Sequence, residues 1–288
     1  RYGKKQQHKP QPDQEPAIQD RIYREAYKTV MKVEKIAELI QRKSPLDTQE
    51  PWDNSGFQIK FEGSEIRTVL VAMEITDEII DEAEILKADM IVTHHPMIFN
   101  PIKNIYDNTV TGNHIVRLIK DDINVYSSHT PFDKCSGGNG DYLAGLLRLK
   151  NVRRMETDSL GFCREGMADS PRRAGEYISC ICQWLDLDIR SLAFSGDLDD
   201  MIYKVGLCTG AGAEFAENAK ESGCDLFITG DVKHHQAQEA REMGINILDI
   251  GHYGSEKIFT ADMASYLRDN TDLTVIRSTV DLDPFVLL

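Results

Sequence analysis

Apolar residues recur at helical spacing over residues 33–42, with Val33, Ile36, Ala37 and Ile40 on one face, and Pro45 and Pro51 break the run. The chain then divides into two blocks of similar grammar. In the first, the pattern predicts a strand at 69–73, a helix at 76–86, a strand at 90–93, a helix at 112–120 and a strand at 124–127. In the second it predicts a strand at 205–208, a helix at 213–221, a strand at 226–229, a helix at 236–243 and a strand at 246–249. Short, continuously apolar strands alternating with helices indicate parallel sheet.

The two blocks superpose as sequence. Residues 87–93 lie over 223–229, an offset of 136, and residues 123–125 correspond to 245–247. Identities are few, so this is a repeat of topology. It implies an α/β fold of two similar βαβαβ halves with right-handed crossovers, facing each other across a cleft. The expected divisions are an N-terminal extension (1–30), a first half (31–150), a connector (151–203) with a helix at about 174–185 and edge strands, and a second half (204–288) packed with the first as one unit. Residues 1–30 are basic, Gln-rich and then Pro-rich, and Met31 stands just before the first well-patterned helix. We read Met31 as the natural start and the segment before it as an extension or added sequence, the alternative being a basic anchoring arm; residues 22–30 have the pattern of a helical turn or two.

Charge narrows the class. The formal net charge of −14 and a pI near 5.0 argue against nucleic acid or an anionic membrane as the main partner. They leave anionic small molecules open, because a bound dication reverses the local potential. The chain shows no apolar run approaching a membrane span and no signal-peptide pattern, so a cytoplasmic protein is expected. Six cysteines without a framework spacing read as reduced, mostly buried thiols.

The chemistry concentrates at strand ends. Thr93-His94-His95-Pro96 closes one strand, Ser128-His129-Thr130-Pro131-Phe132-Asp133 another, and Asp249-Ile250-Gly251-His252-Tyr253-Gly254-Ser255-Glu256 a third. In α/β proteins the carboxyl ends of strands are where ligands bind. Adjacent imidazoles can serve two neighbouring ions once the backbone turns at Pro96, and His252 and Glu256 share a face if a helix opens there. Asp133 follows His129 by four, but Pro131 argues for a loop rather than a helix. Imidazole and carboxylate groups from both halves indicate a metal centre of more than one ion. Gly137 and Gly138, before an apolar helix at 142–149, are candidates for backbone approach to substrate, as are Asp231 and Tyr253 for substrate contact. His234-His235 mirrors His94-His95 a few residues out of step; His235 is a pocket-lining or substrate-binding candidate, with a surface role as the alternative. Nothing supports a nucleophilic Ser or Cys.

These motifs resemble those of the GTP cyclohydrolase I type 2 homologues, the NGG-interacting-factor-three-like dinuclear-metal proteins. The resemblance runs from about Met31 to Leu288. It includes Trp52-Asp53-Asn54-Ser55-Gly56, the His94-His95 pair, His129 with Asp133, Thr229-Gly230-Asp231 with His235, His252 with Glu256, residues 161–166 and Asp283-Pro284-Phe285. It implies a site of two divalent metal ions (Zn, Fe, Mn, Ni or Mg) held by His94, His95, Asp133, His252 and Glu256, with a carboxylate bridging. It also implies a ring-shaped homohexamer built as a trimer of dimers, without the large inserted domain of some members. The activity implied is metal-dependent hydrolysis of a small-molecule substrate, with metal-activated water opening the GTP imidazole ring and His129 or His235 moving protons. A metal-handling or regulatory ring without turnover, and a scaffold that metals merely staple, are the alternatives. The family often has Asn at the position of Gly140 and Asp at that of Glu74, which affects the groups around the ligands rather than the ligands themselves.

Overall fold

Every residue of Thr68–Ala72, Met90–Thr93 and Asn124–Ser127 is buried. Strands with no wet face need cover on both sides, and the computed structural model, which describes residues 29–286, pairs these three in parallel with helices above and below. The expectations for residues 1–28 lie outside the described residues. Val69, Val71, Met90 and Val92 face one layer, with Val33, Ile36 and Ile40 of the helix Val33–Lys43. Leu70, Ala72, Ile91 and Val125 face the other, with Ile79, Ile80 and Leu118. The period of two along each strand thus serves two cores.

The molecule is mixed α/β with two main sheets. The first runs Thr274–Arg277, Thr68–Ala72, Met90–Thr93, Asn124–Ser127, Gly56–Ile59, all parallel except the last. The second runs Lys150–Arg154, Arg164–Arg173, Met201–Leu207, Leu226–Thr229, Asn246–Asp249, Ala193–Ser195, with three parallel strands at its centre. Helix Ala174–Leu185 covers one face of this sheet and the small residues Ala216, Ala219 and Ala240 cover the other.

Several boundaries differ from expectation. Residues 151–203 carry the expected helix, Ala174–Leu185, and edge strands, and they also supply Arg164–Arg173 inside the second sheet. The chain's last helix, Phe259–Asn270, packs into the core of the first sheet, and Thr274–Arg277 pairs in parallel beside Thr68–Val71. The segment 204–288 is therefore divided between the sheets, because Phe259, Met263 and Leu267 find their apolar partners on Val33–Lys43 and the first sheet. The helix expected at 213–221 is a 3-10 turn, Ala213–Phe215, followed by Ala216–Glu221. The helix expected at 142–149 begins earlier, as Asn139–Leu146. Thr130–Lys134 is helical after all, since Pro131 falls in its first turn, where no N–H is needed.

The internal repeat is also a repeat of hydrogen bonds. Asp89 Oδ2 accepts from the N–H groups of Arg67 and Thr68 at 2.7 and 2.8 Å; Asp225 Oδ2 accepts from Tyr203 and Lys204 at 2.8 Å each. The Asn124 amide donates to the Asp89 carbonyl at 3.1 Å, and that of Asn246 to the Asp225 carbonyl at 3.0 Å. These ties fix strand entry in each half and hence which residues emerge at the opposite, carboxyl ends. Removing either carboxylate leaves two backbone donors without their partner. We expect Asp89→Ala and Asp225→Ala each to lower stability by about 2 kcal/mol, nearly additively in the double variant because the sites are in separate sheets. Urea unfolding reads this; losses below about 0.5 kcal/mol in both variants would contradict it.

Candidate metal centre

Backbone geometry delivers the histidines. After Met90–Thr93 the N–H groups of His94 and His95 both donate to the Met73 carbonyl, at 3.0 and 2.9 Å, and this turn sends both rings to one side. Their centroids lie 5.0 Å apart. After Asn124–Ser127 the chain enters Thr130–Lys134, which holds His129 before its first turn and Asp133 within it. From the other half, Asn246–Asp249 leads through Gly251 into the helix His252–Glu256, so His252 and Glu256 share a face. Gly210, with φ +67°, is required here: a Cβ would stand 2.3 Å from Glu256 Oε1.

Each of four imidazoles is tethered through Nδ1. His94 Nδ1 lies 2.9 Å from the Ser128 carbonyl, which can only accept, so Nδ1 carries the proton and Nε2 carries the lone pair in the neutral ring. His129 Nδ1 meets Asp53 Oδ1 at 2.9 Å, His252 Nδ1 meets Asp231 Oδ2 at 2.8 Å, and His95 Nδ1 meets Glu74 Oε2 at 3.4 Å. Glu256 Oε2 lies 3.0 Å from Nε2 of both His95 and His252. His94 Nε2 is 3.5 Å from Asp133 Oδ1 and 3.7 Å from Glu256 Oε1, fully buried and without a hydrogen bond. Ligand-type atoms fall into three sets, each within 4.8 Å: His94, Asp133 and Glu256; His95, His252 and Glu256; His94, His95 and His129.

The electrostatics reflect crowding in an apolar shell. Phe259 and Phe132 flank the His94 ring at 5.0 and 6.3 Å. Burial pushes Glu256 up, but the imidazoles of His94, His252 and His95 outweigh it and hold the carboxyl well below its ordinary value. Burial opposes charge on His95 as well, yet the Glu256 and Glu74 carboxylates raise it to about 10. His252 is raised to about 9, chiefly by its bond to Glu256. Asp133 goes the other way: burial raises it despite His94. Asp53 is buried, but bonds from His129, Thr130 and Ser55 keep its carboxyl far below the ordinary range.

His94, His95, Asp133, His252 and Glu256 thus meet at one point. His129, read from sequence as a proton carrier, joins the same cluster. Asp231 is drawn to the His252 ring, in a left-handed backbone conformation (φ +52°). Gly138 is accounted for by packing, since a Cβ would lie 1.9 Å from the Phe132 carbonyl; the loop brings the Asn139 amide to Asp133 Oδ1 at 2.9 Å. Gly137 is exposed, its N–H donating to Asp141. Tyr253 packs against the first core, its hydroxyl accepting from the Leu282 N–H. His235 is exposed in the first turn of His234–Met243 and belongs to none of the three sets. The sequence reading gave no role to Asp53, Ser128 or Asn139. Asp53 was within reach, in the quoted Trp52–Gly56 motif; a backbone carbonyl such as that of Ser128 leaves no trace in sequence.

Comparison with known proteins agrees with this architecture. A family model described as Duf34/NIF3 (NGG1p interacting factor 3) matches residues 31–284. A Clostridium perfringens protein named GTP cyclohydrolase 1 type 2 homolog is 34% identical over 261 residues, covering 88% of this chain and 99% of the relative. A Campylobacter jejuni protein of the same name is 33% identical, with 88% and 99% covered. Among solved structures, a Staphylococcus aureus hypothetical protein superposes with a TM-score of 0.84 at 26% identity, over 90% of this chain and 99% of that one. A Bacillus cereus protein related to NIF3 has the same TM-score at 23% identity, covering 90% and 100%, and shares the fold. The chain belongs to the Duf34/NIF3 family.

Proposed function

We propose that the cluster holds two divalent metal ions and that the protein is a metal-dependent hydrolase of a small, nucleotide-like substrate. The observation that carries this is the convergence of imidazole Nε2 atoms on Glu256 and Asp133, each ring oriented from behind through Nδ1. Such outer tethers set the tautomer and direction of metal-ligating histidines. The orphaned, buried His94 Nε2 is a donor the protein itself does not use. In this proposal His94, Asp133 and Glu256 would hold one ion and His95, His252 and Glu256 the other, with His129, grouped with His94 and His95, as a further candidate ligand. An all N/O donor set admits Zn, Fe, Mn, Ni or Mg.

Bound ions would supply a water of lowered pKa and polarise a substrate oxygen. The chain's own residues do the rest. His94, Phe132 and Phe259 exclude water from the inner side, while His95, His129 and His252 remain partly open, giving a substrate one side of approach. The substrate class is taken from relatives named for GTP cyclohydrolase 1 type 2. The alternative, a metal-handling ring without turnover, finds support in the same tethering, which favours retention of metal. Formate release from GTP with Mn²⁺, Fe²⁺ or Zn²⁺ separates them: the enzyme reading expects formate from the native protein and none from His94→Ala, and no formate from either leaves the metal-handling reading. We also propose self-association as a ring of six, supported by exposed Trp52, Phe99, Ile105, Tyr106 and Val110 beside one another in sequence or space. Among the described residues no helix is long and apolar enough to cross a membrane.

Elemental analysis should find about two ions per chain in protein purified without chelator, falling sharply in Glu256→Ala. Asp231→Ala, which frees the back of His252, should weaken metal binding by roughly 10–100-fold without unfolding the protein; unchanged affinity would remove the tethering role. Light scattering should give six chains per particle, and a monomer would remove the ring. The pH dependence has a definite sign. His95 and His252 are raised to about 10 and about 9 in the metal-free protein, so the stability they contribute is fully present below the ordinary histidine value and lost as pH climbs toward 10. Metal must displace those protons, so affinity should rise over the same window, with about two protons released per chain at pH 8. Calorimetry in buffers of different ionisation enthalpy reads this; metal binding without proton release would contradict it.

A further inference from the structure

A cavity of about 390 Å³ opens beside the cluster, lined in part by Lys257, Arg277, Thr260, Ser278, Tyr253 and Met73. Its position is informative. Met73 and Ser278 each follow the last residue of a parallel strand of the first sheet, so the cavity sits at the carboxyl ends of the strands, as does the cluster. Tyr253 follows His252, Lys257 follows Glu256, and the Met73 carbonyl is the one that turns His94 and His95.

Its charge is unusual for this chain. Over the whole chain acidic residues exceed basic ones by 14, so a cavity bordered by two cations stands out. Among the described residues neither Lys257 nor Arg277 forms an ion pair, and Lys257 Nζ makes no hydrogen bond. Arg277 Nε donates to Thr260 Oγ1 at 3.0 Å, which orients the guanidinium, and among the described residues its terminal N–H groups have no partner. Of the lining residues Asp281 is a carboxylate, accepting from the Asp283 N–H at 3.3 Å, and Glu82 stands behind the wall, accepting from the Ser278 hydroxyl and the Thr279 N–H. The Ser278 and Thr260 hydroxyls are committed to Glu82 Oε2 and the Lys257 carbonyl, so what this cavity of small-ligand size offers to phosphate oxygens is charge-assisted bonding from Lys257 and Arg277.

We propose that this cavity is an anion subsite that takes the phosphate groups of a phosphorylated small molecule, the substrate of the adjoining metal centre. The anion binding stands on the cavity; its link to turnover rests on the hydrolase reading above. Calorimetry on the full chain, metal-loaded and again after chelation, would use tripolyphosphate, GTP, inorganic phosphate and guanosine as probes, with Lys257→Gln, Arg277→Gln and the double variant. Lost charge-assisted hydrogen bonds should weaken tripolyphosphate and GTP roughly 10-fold per substitution in both metal states, with guanosine and metal content unchanged. Because Lys257 Nζ makes no hydrogen bond among the described residues, Lys257→Gln keeps the test valid if Arg277→Gln folds poorly. Tripolyphosphate affinity equal in the native and Lys257→Gln proteins would overturn the subsite, as would no binding to native protein. Inorganic phosphate binding as tightly as GTP would overturn the substrate link. Lys257-dependent tripolyphosphate binding in a protein that releases no formate from GTP would keep the subsite and remove the cyclohydrolase reading.

Discussion

Glu256 is a carboxylate only 3% exposed, with its two oxygens among three imidazoles. A buried charge of this kind is tolerated only when opposite charge or strong hydrogen bonds meet it. Everything around it answers that requirement. Gly210 leaves room for it, Ser255 ties its helix to the Gly210 N–H at 2.9 Å, and the two halves must close on each other for His94 and His95 to reach it. Electrostatics at this one group therefore links the sheets, and the return of Phe259–Asn270 to the first core holds its helix across the seam.

The same arrangement explains why the cluster is built from both halves of a repeat yet is not symmetric. The repeat preserves Asp89 with Asp225 and Asn124 with Asn246, the polar ties at strand entry. At the strand exits the halves diverge. Where the first places His94 and His95, the second has Gly230 and Asp231. A Cβ at Gly230 would stand 2.6 Å from the His252 backbone nitrogen, so that position yields space to the helix carrying His252 and Glu256, while Asp231 orients the His252 ring. One half presents donors on strand ends; the other presents them on a helix.

Much of this was legible in the sequence. Strands 90–93, 124–127, 226–229 and 246–249 were read with their observed limits, because continuous apolar runs between breakers are unambiguous. The strand-end positions of His94, His95, His129, Asp133, His252 and Glu256 were read as a group because they follow such runs, and the resemblance narrowed them to five candidate ligands. What escaped has physical reasons. Edge strands were expected within 151–203 but not their limits, since Lys150–Arg154 is mostly exposed and Ala193–Ser195 is only three residues long, so neither carries an apolar run. The return of Thr274–Arg277 to the first sheet is a long-range pairing that local pattern cannot reveal. The helical turn holding Asp133 was doubted because proline in a first turn looks, from sequence alone, like proline in a loop. His129 was placed at the site as a carrier of protons, and the Asp53 contact that fixes its ring spans 76 residues, beyond what local pattern shows.

The central claim is that tethered imidazoles aim their Nε2 atoms, with Asp133 and Glu256, at two ions. Anomalous diffraction at the edge of the metal carried by the purified protein tests it most directly. The account predicts two peaks per chain within bonding distance of Glu256, one beside His94 and Asp133 and the other beside His95 and His252. A single peak, or peaks that leave the Glu256 carboxylate without a metal contact, would contradict it.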